Sequence, residues 1–126
     1  MSNDSNVGQF LAGYYRVFST LDLNAIQTYF HRPAVFIGPA GVFPLDAGTL
    51  IAMMTRTIDD LRAKDYGHSE FILQDEKPLG SQSAFVSGIA LRFKTDGQEL
   101  ERVPLSYILQ KAESGWKIAV LLLHAA

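Results

Sequence analysis

No cysteine occurs anywhere in this chain, which excludes disulfides, thiolate nucleophiles and cysteine-ligated metals together. An excess of one charge is also missing. Eleven Lys and Arg stand against 13 Asp and Glu, a net charge of −2, and the basic residues form no cluster. Nucleic acid and anionic membrane surfaces are therefore not the expected partners. Histidine is scarce: His31, His68 and His124 lie far apart, with no His-x-His or His-x-x-x-His spacing. We expect no metal site, and nothing in the sequence points to a cofactor. The longest apolar run, Ile118 to Leu123, falls far short of a bilayer span. Residues 1–6, Met-Ser-Asn-Asp-Ser-Asn, have neither the basic nor the apolar region of a secretory signal. A soluble cytoplasmic protein is the expectation.

What is present suits one core. The 126 residues are 48% apolar and 19% charged, a globular balance at single-domain length. Residues 1–6 read as a disordered tail and 7–126 as one domain. Phe10, Leu11, Tyr14, Phe18 and Leu21 recur at helical spacing and predict a helix over Val7–Thr20. Asp22 caps a second, short helix that buries Leu23, Ile26 and Phe30, and Pro33 ends it. Val35, Phe36 and Ile37 form a strand that stops at the turn Gly38-Pro39-x-Gly41. Asp46 caps a third helix with Leu50, Met54, Ile58 and Leu61 on one face, closed by Gly67.

From His68 onward the pattern is strands, over about His68–Glu76, Ala84–Lys94, Glu101–Ala112 and Trp116–His124. Turn signals separate them. Asp96-Gly97 is a strong hairpin dipeptide, so an antiparallel meander follows. The last strand is apolar on both faces, whereas a sheet with one wet face should alternate. We expect a homodimer through the outer sheet face, formed by Val103, Leu105, Tyr107 and Leu109. The alternative is a sheet curled enough to bury these residues itself. In the strand 84–94, Phe85, Ser87, Ile89, Leu91 and Phe93 are expected inward. Arg92 is expected outward, beside Glu101 or Arg102.

The segment Asp22-Leu-Asn-Ala-Ile-Gln-Thr-Tyr-Phe30, running into Ala34-Val-Phe-Ile-Gly-Pro-Ala-Gly41, resembles the nuclear transport factor 2-like superfamily. That group includes ketosteroid isomerases and SnoaL-like cyclases. The resemblance implies a cone-shaped, cystatin-like α+β fold, with three N-terminal helices packed on a curved, mostly antiparallel sheet. Over the first forty residues the chain resembles a bacterial ketosteroid isomerase. Tyr14 falls where that family has its oxyanion-hole tyrosine. Gly38 stands where the family has its general-base aspartate, and Ser106 where it has its second oxyanion-hole acid. Moving a proton between carbons needs a base, so ketosteroid isomerase activity is not expected. The Asp-Arg-Asp set of limonene epoxide hydrolases is not assembled either. Asp59, Asp60, Arg56 and Arg62 lie on the solvent face of their helix, as ion pairs do.

The implied hollow between helices and sheet is the natural site for a small hydrophobic ligand. Its candidate lining is Tyr14, Phe18, Phe36, Met54, His68, Ser87 and Ser106. Tyr14 and Ser106 are hydrogen-bond donors suited to a carbonyl, and His68 is the histidine placed nearest the expected mouth. Each also has a plain structural reading, as a core ring, a strand hydroxyl or a surface imidazole. Isomerase, cyclase or hydrolase chemistry on the ligand is one expectation. A non-catalytic dimeric binding or association module is the other.

Overall fold

Local chemistry sets the element boundaries. In the computed structural model, which describes the backbone of residues 4–124 and side chains from residue 7, the Asp22 carboxylate accepts from the backbone N–H of Asn24 and Ala25 and starts a one-turn helix. Asp46 accepts from Thr49 N–H at 2.8 Å and starts a long one. The helices are α1 (Asp4–Phe18), α2 (Leu23–Gln27) and α3 (Ala47–Ala63). Residues 4–6 thus belong to α1 rather than to a tail, and residues 1–3 lie outside the described residues. Helix α2 ends before Pro33, at a C-cap on Thr28. Pro33 lies within a strand.

Six strands follow: β1 (Phe30–Gly38), β2 (Gly41–Leu45), β3 (Tyr66–Leu79), β4 (Ser83–Lys94), β5 (Glu99–Ala112) and β6 (Gly115–Leu123). They form one sheet in the order β2-β1-β6-β5-β4-β3. Only β1 and β6 run parallel. The turn at Gly38–Gly41 does not merely end a strand. It is the tip of a hairpin, and β2 pairs with β1 from Gly41 to Leu45. Pro44 is tolerated in β2 because this strand lies at the sheet edge. Helix α3 therefore comes after a hairpin, and the three helices are not contiguous along the chain.

Gly67 does not close α3 but lies in β3. A Cβ there would meet the Lys94 carbonyl oxygen at 2.8 Å, so glycine permits the close approach of β4. The left-handed position after α3 is taken by Asp65, with φ 61°. At Gly88 a Cβ would collide with the Ile72 carbonyl oxygen, and β3 and β4 can pair there only without a side chain. Register shifts in the β3–β4, β4–β5 and β5–β6 ladders bend the strands as bulges do.

The helices cover one face of the sheet, and the core lies between. Val86, Leu105, Tyr107, Leu109 and Ile118 point into it from the strands, each under 5% exposed. Leu11, Tyr14, Phe18, Leu50, Met54 and Leu61 meet them from the helices. This settles the direction of the faces and overturns the expected one. Val103, Leu105, Tyr107 and Leu109 lie on the inner, helix-covered face. The outer face carries Ile72, Ile89, Ile108, Val120 and Leu122, with Ser87 and Ser106 paired among them, as the register of β3 to β6 places them. No helix among the described residues is long and apolar enough to cross a membrane.

Candidate functional site

Between α1, α3 and the inner sheet face the side chains leave a hollow of about 490 Å³. That size lies in the usual range for small-molecule sites. Helix α1 contributes Tyr14, Tyr15 and Phe18, which its 3.6-residue period turns toward the sheet. Helix α3 contributes Met53, Met54 and Thr57, with Arg56 and Asp60 at the open side. The sheet supplies Phe36, Ala90, Arg92, Val103, Leu105 and Tyr107, and the end of β6 adds Leu121 and Leu123.

The depth is aromatic. The Tyr14 ring meets Tyr15, Phe30 and Tyr107 edge-on, with centroids 5.2, 5.9 and 6.2 Å away, the arrangement favoured by the ring quadrupole. The hydroxyls of Tyr15 and Tyr107 share a hydrogen bond of 2.6 Å, and Tyr66 and Ser69 share another of 2.6 Å. Tyr14 differs from Tyr15 and Tyr107: its hydroxyl has no partner among the described residues. No fully enclosed side-chain oxygen or nitrogen there lacks one, so this hydroxyl opens on the hollow that Tyr14 lines. Burial pushes the phenols of Tyr14, Tyr15 and Tyr107 far above the ordinary tyrosine range. All three are neutral at any physiological pH, and Tyr14 offers an uncommitted donor.

The open side is charged. Arg92 Nη1 donates to Glu101 at 2.6 Å, and its guanidinium lies over the Phe18 ring, 5.6 Å from the centroid. Arg92 therefore lines the hollow instead of pointing outward. It does pair with Glu101, as a cross-strand partner should. Its positive charge is felt at all three phenols, where it opposes part of the upward push of burial. Lys64 pairs with Asp60 at 3.0 Å and reaches Glu101 at 3.8 Å. Asp60 is the one carboxylate in the lining among the described residues, and its side chain is 58% exposed.

Of the seven residues picked out from the sequence, Tyr14, Phe18, Phe36 and Met54 meet around this hollow. The other three do not. His68 is exposed on the outer face, stacked on Phe93 at 4.9 Å and bonded to Glu70 at 2.9 Å. Ser87 and Ser106 are cross-strand neighbours on that same outer face, each between inward residues. The Ser106 hydroxyl is bonded to His124 Nε2 at 2.7 Å, away from the hollow. His31 binds the Pro33 carbonyl of its own strand at 2.8 Å. Tyr15, Arg92, Val103, Leu105 and Tyr107 also line the hollow; the sequence pattern turns the last four outward and does not mark Tyr15. The hairpin at Thr95-Asp-Gly97 sets Ala90 opposite Val103 and Val86 opposite Tyr107, so these strand residues share one face, but no sequence signal says that this face is the inner one. No group of three or more acidic or histidine side chains among the described residues is placed to hold a metal.

A family model described as NTF2-like protein (DUF6841) matches residues 3–126. No curated protein matches the sequence. Among solved structures, an NTF-2 like protein of unknown function from Shewanella oneidensis superposes with a TM-score of 0.77 at 14% identity, over 97% of this chain and 98% of that one. A ketosteroid isomerase-like protein from Erwinia carotovora atroseptica gives 0.71 at 13% identity, over 99% and 98%. A putative dehydratase of the NTF2-like family from Streptomyces avermitilis gives 0.72 at 12% identity, over 97% and 94%. At such identities the likeness is one of fold.

Proposed function

We propose, from the premise that this chain belongs to the NTF2-like family DUF6841, that it binds a small, largely apolar molecule carrying a hydrogen-bond acceptor. One observation carries the reading: an aromatic hollow of about 490 Å³ onto which the unpaired Tyr14 hydroxyl opens. Apolar walls supply affinity by excluding water, and a buried neutral phenol orients a carbonyl by donating to it. The structural relatives described as a ketosteroid isomerase-like protein and a putative dehydratase are consistent with small-molecule chemistry in this fold. Fold alone does not transfer their reactions. Isomerase chemistry of the ketosteroid kind finds no support, because Gly38 occupies the expected position of the base. Asp60 is turned half outward and tied to Lys64. Binding, with SnoaL-like chemistry on the bound molecule as its extension, is the reading.

The test is thermal unfolding with a planar ketone, 2-acetonaphthone, as probe. Ligand at a hundred times its Kd should stabilise the protein by about 2.7 kcal/mol. Tyr14→Phe should keep the fold and weaken binding by about 0.5–1.5 kcal/mol, the net contribution of one hydrogen bond. No stabilisation of either form by this ketone or related ones would sink the reading.

A second element of the reading is a homodimer through the outer sheet face. Its support is two apolar cross-strand pairs on that face, Ile72 with Ile89 and Ile108 with Val120, of which Ile72 is 45% exposed. Exposed apolar side chains gathered on one sheet face favour association with a second such face.

A further inference from the structure

Resting on that binding reading, we infer that the ligand is an amphipathic acid: an apolar body with an acceptor at one end and a carboxylate or similar small anion at the other. The anion would be held at the open side of the hollow by Arg92 and Arg56.

The charges of this rim carry the inference. Arg92 and Arg56 line the hollow together with Asp60, and Lys64 and Glu101 complete the cluster. Three cations thus face two carboxylates. Both carboxylates are engaged: Asp60 with Lys64 at 3.0 Å, and Glu101 with Arg92 at 2.6 Å and Lys64 at 3.8 Å. Arg56 has no ion-pair partner among the described residues. Arg92 uses one of its five N–H groups on Glu101, and a guanidinium has a fork that matches a carboxylate. Its side chain is only 20% exposed and lies over the Phe18 ring, so a ligand filling the hollow would desolvate it further. An anion on the ligand offsets that cost, and a neutral ligand does not.

The other end of the hollow excludes the anion. Its walls are rings and aliphatic side chains, and its polar groups are neutral hydroxyls, the phenols with Ser69 and Thr57. Tyr15 and Tyr107 already bond one another at 2.6 Å, Ser69 is bonded to Tyr66, and Thr57 donates to the Met53 carbonyl. A single acceptor fits at Tyr14, whereas a buried carboxylate there would face one donor and lose its hydration. Charge at the rim and a carbonyl in the depth is the polarity that both ends share.

Three compounds test this by calorimetry: 2-acetonaphthone, 6-acetyl-2-naphthoate, and 6-acetyl-2-naphthamide, the neutral near-isostere of the naphthoate. The naphthoate should bind about tenfold more tightly than the naphthamide, the scale of one charge-assisted bond. That preference should shrink to about threefold or less in Arg92→Met, while affinity for 2-acetonaphthone changes little. Arg56 is exposed, so Arg56→Gln leaves the fold intact and should cut the preference too if Arg92→Met does not fold. Lys64 remains to hold Glu101 when Arg92 is removed. Equal or weaker binding of the naphthoate overturns the inference and leaves the hollow's role standing. A preference undiminished in the folded arginine variants overturns it as well. Failure of all three compounds to bind removes the binding reading itself, and this inference with it.

Discussion

Substituting Ala90 distinguishes a hollow from a packed core by the sign of one number. Ala90 is 2% exposed, sits between Phe71 and Val103 across the sheet, and faces the space of about 490 Å³. Ala90→Ile adds three carbons, each contributing about 0.8 kcal/mol when buried. The ceiling is therefore about 2.4 kcal/mol. Ordering the side chain costs about 0.5–1 kcal/mol. The net expectation is about 1–2 kcal/mol of stabilisation, helped by the preference of β-branched residues for strands. In a filled core the same three carbons would overpack and cost about 1–3 kcal/mol. At this chain length each kcal/mol moves Tm by about 3–5 °C. Calorimetric or fluorescence melting should show a rise of several degrees without ligand. The shift induced by 2-acetonaphthone should shrink, because the new side chain occupies its space. A fall in Tm with an undiminished ligand shift would refute the reasoning.

Further expectations concern separate parts of the fold. Gly88→Ala should cost about 3 kcal/mol or more in urea unfolding, since its Cβ would collide with the Ile72 carbonyl. Gly8→Ala, in open space on α1, should stabilise by about 0.5–1 kcal/mol; equal effects at the two sites would contradict the close approach of β3 and β4. A double-mutant cycle of Tyr15→Phe and Tyr107→Phe should give a coupling of about 0.5–1.5 kcal/mol, and additivity would mean the 2.6 Å bond contributes nothing. The Thr49 N–H holds the Asp46 carboxyl below its ordinary range. The stability this cap contributes is present above about pH 4 and is lost as pH falls through the depressed folded value. The advantage of wild type over Asp46→Ala in urea midpoint should be full at pH 7 and decline toward pH 2, and a constant advantage would exclude this origin. Ile108→Asp on the outer face should convert a dimer to a monomer in light scattering after size exclusion; a monomeric wild type would end the dimer proposal.

Much of the fold was readable because short-range rules produced it. The stripes of α1 and α3 follow the helical period, and both caps lie at aspartates that accept from the next turn. The family resemblance was carried by the segment where α2 gives way to β1. Strand β2 was not legible: five residues including Pro44 carry too little pattern, and only pairing with β1 makes them a strand. The inner and outer faces were exchanged for a physical reason. Both faces of this sheet are apolar, so alternation does not say which is buried. On β4 the bulkier set, Phe85, Ile89 and Phe93, faces outward. Ala84, Gly88 and Ala90 face inward, and small residues there help leave the hollow open. Size therefore pointed the wrong way. That error sent Ser87 into the site and removed Arg92 and Tyr107 from it. The register of the Asp96-Gly97 hairpin does not separate the two assignments, since Val86 and Tyr107 share a face in either.

Methionine-methyl NMR offers the most direct look at the central claim, because Met53 and Met54 both line the hollow. Titration with 2-acetonaphthone should shift both methyl signals saturably, with the isoleucine methyls of Ile72 and Ile108 on the outer face unmoved. Shifts confined to those outer isoleucines, with both methionines silent, would contradict a ligand site between the helices and the sheet.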